Sequence, residues 1–259
     1  MKVVIGALLL LAAGIIAARF VLGERVGAQN ASPPTPAVER PDPGIPKDAL
    51  DRRARSNAIM RAEHVPLFER LPVIESEAEV QLPSTEEIAM RAAALLTVSM
   101  KAAGAPQSEV DKVVGDYQLK SWFSPHEAAF IADANPAPKD MLALGWRIEA
   151  ANALLWTLGY VDRLDGPRVQ CDPPALAKLI LTQSRAQFLA GARLRPKAEI
   201  LDQADLIYRY RWALVDELQI KNHAAPAGLS NDIAMERHQA FNWLLYHAET
   251  PWDDISLDT

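Results

Sequence analysis

This sequence predicts an all-α fold, a multi-helix globular bundle behind an N-terminal transmembrane or signal segment, and three observations predict it. Helix start and stop signals recur along the chain, with Ser, Asp or Pro at the openings and Gly or Pro at the ends. Apolar residues return at three- and four-residue steps in the longer segments. Strand-type alternation is scarce. A chain of 259 residues that is 49% hydrophobic can also bury a sizeable core.

The first element is the apolar run from Val3 to Leu22, interrupted by Arg19. A bilayer core about 30 Å thick needs about 20 apolar helical residues, so the run is long enough to span. Residues 1–28 therefore read as a transmembrane anchor or signal segment. Lys2 and the small residues Val26-Gly27-Ala28 fit a cleavable secretory signal. The length of the run, and Arg19, Glu24 and Arg25 between it and Ala28, favour an uncleaved anchor. Basic residues flank the run on both sides and encode orientation weakly. The short leading tail and the likeness to an export signal favour a domain outside the cytoplasm, at the cell envelope. The domain would be anchored in the inner membrane outside the cytoplasm, or released to the periplasm if the segment is cleaved. Residues 29–47, "QNASPPTPAVERPDPGIPK", form a Pro-rich linker whose prolines forbid a continuous helix and favour extended backbone.

Residues 48–259 read as the helical domain. Asp48 to Glu63 is a charged amphipathic helix. A loop with Pro66, Pro72 and Pro83 follows, and "LPVIESEAEVQL" has the alternation of a short strand. Ser84-Thr85-Glu86-Glu87 is a capping box opening a helix that stops at Gly104 and Pro106. Ser108 begins a helix to about Lys120, and Ser124-Pro125-His126-Glu127 repeats the start signal with proline at the first helical position. Lys139 to Leu158 is the clearest core element. Met141, Leu144, Ile148, Ala151, Leu155 and Leu158 keep helical spacing, and Gly159 ends it. Asp172 caps a helix running from Pro173 to near Ala190. Pro196 opens a long one to about Lys221, and Ser230 or Asn231 opens the last, ending near His247.

Formal net charge is −6, and residues 1–28 carry +2 from Lys2, Arg19 and Arg25 against Glu24, which leaves the rest at −8. An acidic body lacks the clustered Lys and Arg of a nucleic-acid binder. The single cysteine, Cys171, forms no intrachain disulfide and builds no cysteine zinc site. Gly-rich phosphate loops, the GxSxG elbow and the His-Glu-x-x-His motif are absent.

Four blocks occur in order: "WRIEAANALLWTLG" at 146–159, "EILDQADLIYRYRWA" at 199–213, "ERHQAFNWLL" at 236–245 and "WDDISLDT" at 252–259. Together with "RSNAIMRAEHVPLFERLPVI" and "EEIAMRAAALL" upstream, they resemble the bacterial domain of unknown function 4272 family over roughly Arg55 to Thr259. The resemblance implies a shared fold and supplies no activity, substrate or catalytic residues.

Candidate catalytic residues are the polar side chains that helical spacing brings forward. Glu199, Asp202 and Asp205 follow three-residue steps, giving an acidic stripe suited to a metal or general base, or to dipole compensation and pairing with Arg209. Glu236 and His238 are the next pair. Histidine titrates near neutrality, yet adjacent helical residues point apart and His238 also suits a structural hydrogen bond. Arg147, Glu149, Arg209 and Arg237 would join Asp205 and Glu236 in a buried polar network, because each buried charge needs a partner. Trp146, Trp156, Trp212 and Trp243 read as packing residues. The expected function is an envelope-tethered helical binding or scaffold domain without catalytic activity. It would use no cofactor or metal, would touch the membrane and an unidentified protein partner, and would not bind nucleic acid. Two alternatives stay open: a hydrolase-like enzyme using the carboxylate and histidine set, and an accessory factor of a toxin–immunity or stress system.

Overall fold

Ser84 opens the helix around which the other helices gather. In the computed structural model, which describes residues 44–258, the Ser84 hydroxyl accepts the Glu87 amide and the Glu87 carboxylate accepts the Ser84 amide. That is the reciprocal box the sequence predicts. The helices are α1 (Lys47–Ala62), α2 (Thr85–Ala102), α3 (Gln107–Tyr117), α4 (Pro125–Ala132), α5 (Pro138–Gly145), α6 (Arg147–Thr157), α7 (Pro173–Thr182), α8 (Arg185–Gly191), α9 (Lys197–Val215) and α10 (Asn231–Tyr246). A π-turn, Asp216–Ile220, extends α9, and a 3-10 turn at Trp252–Asp254 follows α10. Among the described residues there is no strand, so the fold is all-α. The anchor or signal expectation for residues 1–28, and nearly all of the linker, lie outside the described residues. Within them no helix is long and apolar enough to cross a membrane.

Helix α2 is buried on every side from Ile88 to Ala102. Its small residues, Ala89, Ala92, Ala93 and Ala94 among them, let neighbouring backbones come close. It packs against every helix from α3 to α8. A second row leads away from it, with α6 on α10, α10 on α9 and α9 on α1. Hydroxyls trapped in this core return to their own helices: Thr97 to the Ala93 carbonyl, Ser99 to Leu95 and Thr157 to Ala153. These local bonds satisfy buried groups without a cross-helix partner.

Most helix boundaries follow the sequence signals. Ser124 closes a second capping box with Glu127, Asp172 accepts the Ala175 amide, and Ser230 accepts the Ile233 amide. Gly104 and Gly159 take φ of +83° and +74° as expected of helix stops. At Gly159 a side chain would also meet the Arg193 carbonyl at 3.2 Å.

Three expectations are corrected. The segment Lys139–Leu158 is two helices, broken at Trp146, where Trp146 N–H donates to Ala143 and Glu149 N–H donates to Trp146 in a tightened turn. Its apolar spacing persists across the break because Leu144 and Ile148 are buried on both sides of it. The segment Pro173–Ala190 is also two helices. Ser184 and Gln187 form a capping box that restarts the chain after extended Gln183. The strand expected in residues 71–82 does not form. Side chains take its carbonyls where a neighbouring strand would: Arg209 bonds to Pro72, Arg52 to Glu75, and Lys197 to Glu77 and Val80.

Candidate functional site

The carboxylates singled out by the sequence do not converge. Each faces an arginine. Glu199 is exposed on the first turn of α9, 3.6 Å from Arg195. Asp202, one turn on and 37% exposed, receives Arg55 at 2.5 and 3.2 Å and lies 3.6 Å from Arg52. Asp205 is fully buried and holds Arg209 through two bonds of 2.8 and 2.9 Å. The stripe therefore runs from solvent into the core, and its members have separate partners.

The expected polar network resolves into separate pairs, Asp205–Arg209 within α9 and two between helices. On α6 and α10, Arg147 donates to both oxygens of Glu236 at 3.0 and 2.9 Å and to Gln239 at 2.6 Å. Two residues further along α6, Glu149 accepts Arg237 at 3.0 and 2.9 Å on one oxygen and the Cys171 amide at 2.7 Å on the other. Burial holds the Glu236 carboxyl above its usual range, opposed by the Arg147 charge. A further buried pair, Arg91 with Glu127 at 2.7 and 2.5 Å, was not foreseen. The Arg91 guanidinium lies 3.9 Å from the Trp252 ring centroid, and Arg147 lies 5.8 Å from the same ring. Trp252 thereby pins the C-terminal segment to the helices. Gln239 donates to its carbonyl at 3.1 Å, and Asn242 donates to the Ser256 carbonyl at 2.9 Å.

That pinned segment walls a cleft of about 360 Å³ against α9, α10 and residues 73–75. His238, Asn242 and Tyr246 stand four residues apart and bring one face of α10 into it. Tyr208 enters from α9, Glu75 from the loop, and Asp254, Ser256 and Asp258 from the C-terminal segment. The Tyr246 hydroxyl lies 2.7 Å from both Glu75 oxygens. His238 is only 1% exposed, packs with its ring centroid 6.1 Å from that of Tyr208, and has no hydrogen-bond partner at Nδ1. Burial, assisted by the Arg211 charge, depresses its pKa to about 4. The imidazole is therefore neutral at physiological pH, with one ring nitrogen a donor and the other an acceptor.

Of the sequence candidates, this cleft holds His238 alone. Glu75, Tyr246, Asp254 and Asp258 were not singled out. The four-residue spacing of His238, Asn242 and Tyr246 was a usable signal; the loop carboxylate had none. A second cleft of about 380 Å³ lies over α7 and includes Cys171, Asn152 and Tyr160. Of its charged groups, Arg237 pairs with Glu149 and Arg163 with Asp165, and Asp172 caps α7. Burial raises the Cys171 thiol well above its ordinary range, so it carries no reactive thiolate at neutral pH. Among the described residues no group of three or more His, Cys, Asp or Glu side chains is placed to hold a metal ion.

The family model described as Domain of unknown function (DUF4272) matches residues 52–255, from α1 through the Trp252 turn. The chain belongs to this family. The family's extent thus takes in the buried arginine–carboxylate pairs and nearly all of the cleft wall. The chain matches no curated protein and no solved structure.

Proposed function

We propose that this DUF4272 chain is a membrane-tethered binding domain without catalytic activity, and that the cleft on α10 is its ligand site. The observation that carries the reading is the pairing of the carboxylates. Asp202, Asp205 and Glu236 are each hydrogen-bonded to a guanidinium and Glu199 stands exposed 3.6 Å from Arg195, so the four do not gather at one base or metal site. Of the sequence candidates His238 alone lines the cleft, and with Nδ1 unpartnered no carboxylate orients its ring through that atom. A nucleophile, a base and an orienting group in hydrogen-bond sequence are what hydrolysis through a side-chain nucleophile requires. A concave site with aromatic walls and a few placed polar groups is what binding requires. The tether rests on the apolar run Val3–Leu22 and the Pro-rich spacer.

The test uses the full chain in neutral-detergent micelles, assayed against generic ester, amide and phosphoester substrates and screened for small ligands by saturation-transfer NMR. Ligand signals that His238→Leu removes, without turnover, are expected. Turnover that disappears in His238→Gln while the helical circular dichroism is kept would sink the proposal. For the tether, the chain is expected to float with phospholipid vesicles, and recovery in the dense fraction argues against it.

A further inference from the structure

The cleft has a one-sided charge. Glu75, Asp254 and Asp258 line it, and no lysine or arginine does. Three arginines packed behind its wall are occupied. Arg52 and Arg209 donate to the Glu75 and Pro72 carbonyls while paired with Asp48 and Asp205, and Arg211 donates to Asn231. A carboxylate offers about four acceptor positions, and the single phenolic hydrogen of Tyr246 fills one. Glu75 therefore keeps acceptor capacity beside the cavity. Tyr208 and Tyr246 supply aromatic surface of the kind that attracts cations. His238 adds an independent pointer: a side chain on the cleft wall, 1% exposed, whose Nδ1 is sealed away and unpartnered, which leaves Nε2 as the ring nitrogen a ligand can reach. A ligand N–H would bond to Nε2, provided the imidazole is neutral with its proton on Nδ1, and its environment keeps it neutral.

We propose that this cleft binds a small organic cation, a primary ammonium or guanidinium on a ring or short-chain body, held by Glu75 with Asp254 and Asp258 and hydrogen-bonded to His238. The inference rests on the reading of the cleft as a ligand site and assigns its ligand class. An anion would meet three carboxylates and no base. A neutral ligand would leave the charge uncompensated. At about 360 Å³ the cavity stands near the small end of small-molecule sites, so it suits a single-ring amine better than a peptide.

The experiment is calorimetric titration of the full chain in neutral-detergent micelles at low salt with benzylamine, benzyl alcohol and benzoate. Benzylamine is expected to bind saturably, at least tenfold more tightly than benzyl alcohol, with benzoate silent. Glu75→Gln is expected to weaken benzylamine at least tenfold, and the Asp254→Asn/Asp258→Asn double variant threefold to tenfold. Both of those aspartates are exposed, so the double variant tests the idea even where Glu75→Gln fails to fold. Benzyl alcohol or benzoate binding as tightly as benzylamine overturns the cation assignment. So does benzylamine binding that neither charge variant changes. If benzyl alcohol binds as tightly as benzylamine and His238→Leu abolishes its binding, the cation assignment falls while the reading of the cleft as a ligand site stands. Silence from all three probes overturns the cation assignment, whereas turnover in the hydrolysis assay overturns the binding reading itself.

Discussion

Replacing Glu149 by glutamine removes one charge from the middle of the bundle and tests the pairing described above. The carboxylate is wholly buried, and Arg237 beside it is 4% exposed. Three N–H groups converge on it: Nε and Nη2 of Arg237, and the Cys171 amide. Glutamine offers one carbonyl oxygen and a donor group, so it serves either Arg237 or Cys171 and sets its amide against the other. Breaking a buried pair from one side costs about 3–5 kcal/mol. The double variant Glu149→Leu/Arg237→Met removes both charges. It loses the Cys171 and Asp165 contacts, each about 1 kcal/mol, and it recovers apolar packing. It is expected to be no less stable than the single variant, with a coupling of about 2 kcal/mol or more. Equilibrium urea unfolding, followed by tryptophan fluorescence, measures both. A Glu149→Gln loss below about 1 kcal/mol, or strictly additive single effects, would refute the reasoning.

Three further outcomes are expected. His238 is depressed to about 4 from 6.5, so the unfolded chain binds more protons between those values. Stability then falls as pH drops from about 6.5 toward 4, by roughly 3 kcal/mol in all; acid unfolding of His238→Phe should lack this part of the slope, and identical slopes would count against it. Trp252→Ala should release the C-terminal segment and remove about 3–5 kcal/mol. Hydrogen exchange at residues 248–258 should rise, and unchanged protection there would contradict the pinning role of the indole. Ser184→Ala should cost about 1 kcal/mol through loss of the cap that restarts the chain at α8, which thermal unfolding can read.

What the sequence made legible was local. The boxes at Ser84 and Ser124 and the stops at Gly104 and Gly159 are decided within a few residues, and each is found where its signal stands. The Ser184 box was equally local, but the apolar residues on either side of it concealed the restart. Trp146 gave no signal of a break, because burial on both sides continues the helical spacing. The alternation in residues 71–82 misled because a strand needs a second strand, and side chains of α1 and α9 take its carbonyls instead. Helical spacing gave the Asp205–Arg209 pair, four residues apart on α9, but left the cross-helix pairs open. Glu149 and Arg237 are 88 positions apart, and nothing local states which pairs with which. The cleft was the least legible part, since its wall comes from the loop, two helices and the C-terminal segment.

The crossed pairs on α6 and α10 bear on how the chain excludes other structures. Arg147 and Glu149 meet Glu236 and Arg237, a plus and a minus facing a minus and a plus. Helices held by apolar contacts alone have many near-equivalent ways to lie together. Turning α10 by one residue rotates its surface by about 100° and strands four charges at once, at a cost no apolar repacking recovers. The four residues therefore act less as glue than as a key, admitting one alignment of α10 and rejecting its neighbours. The same alignment sets His238, Asn242 and Tyr246 along the cleft.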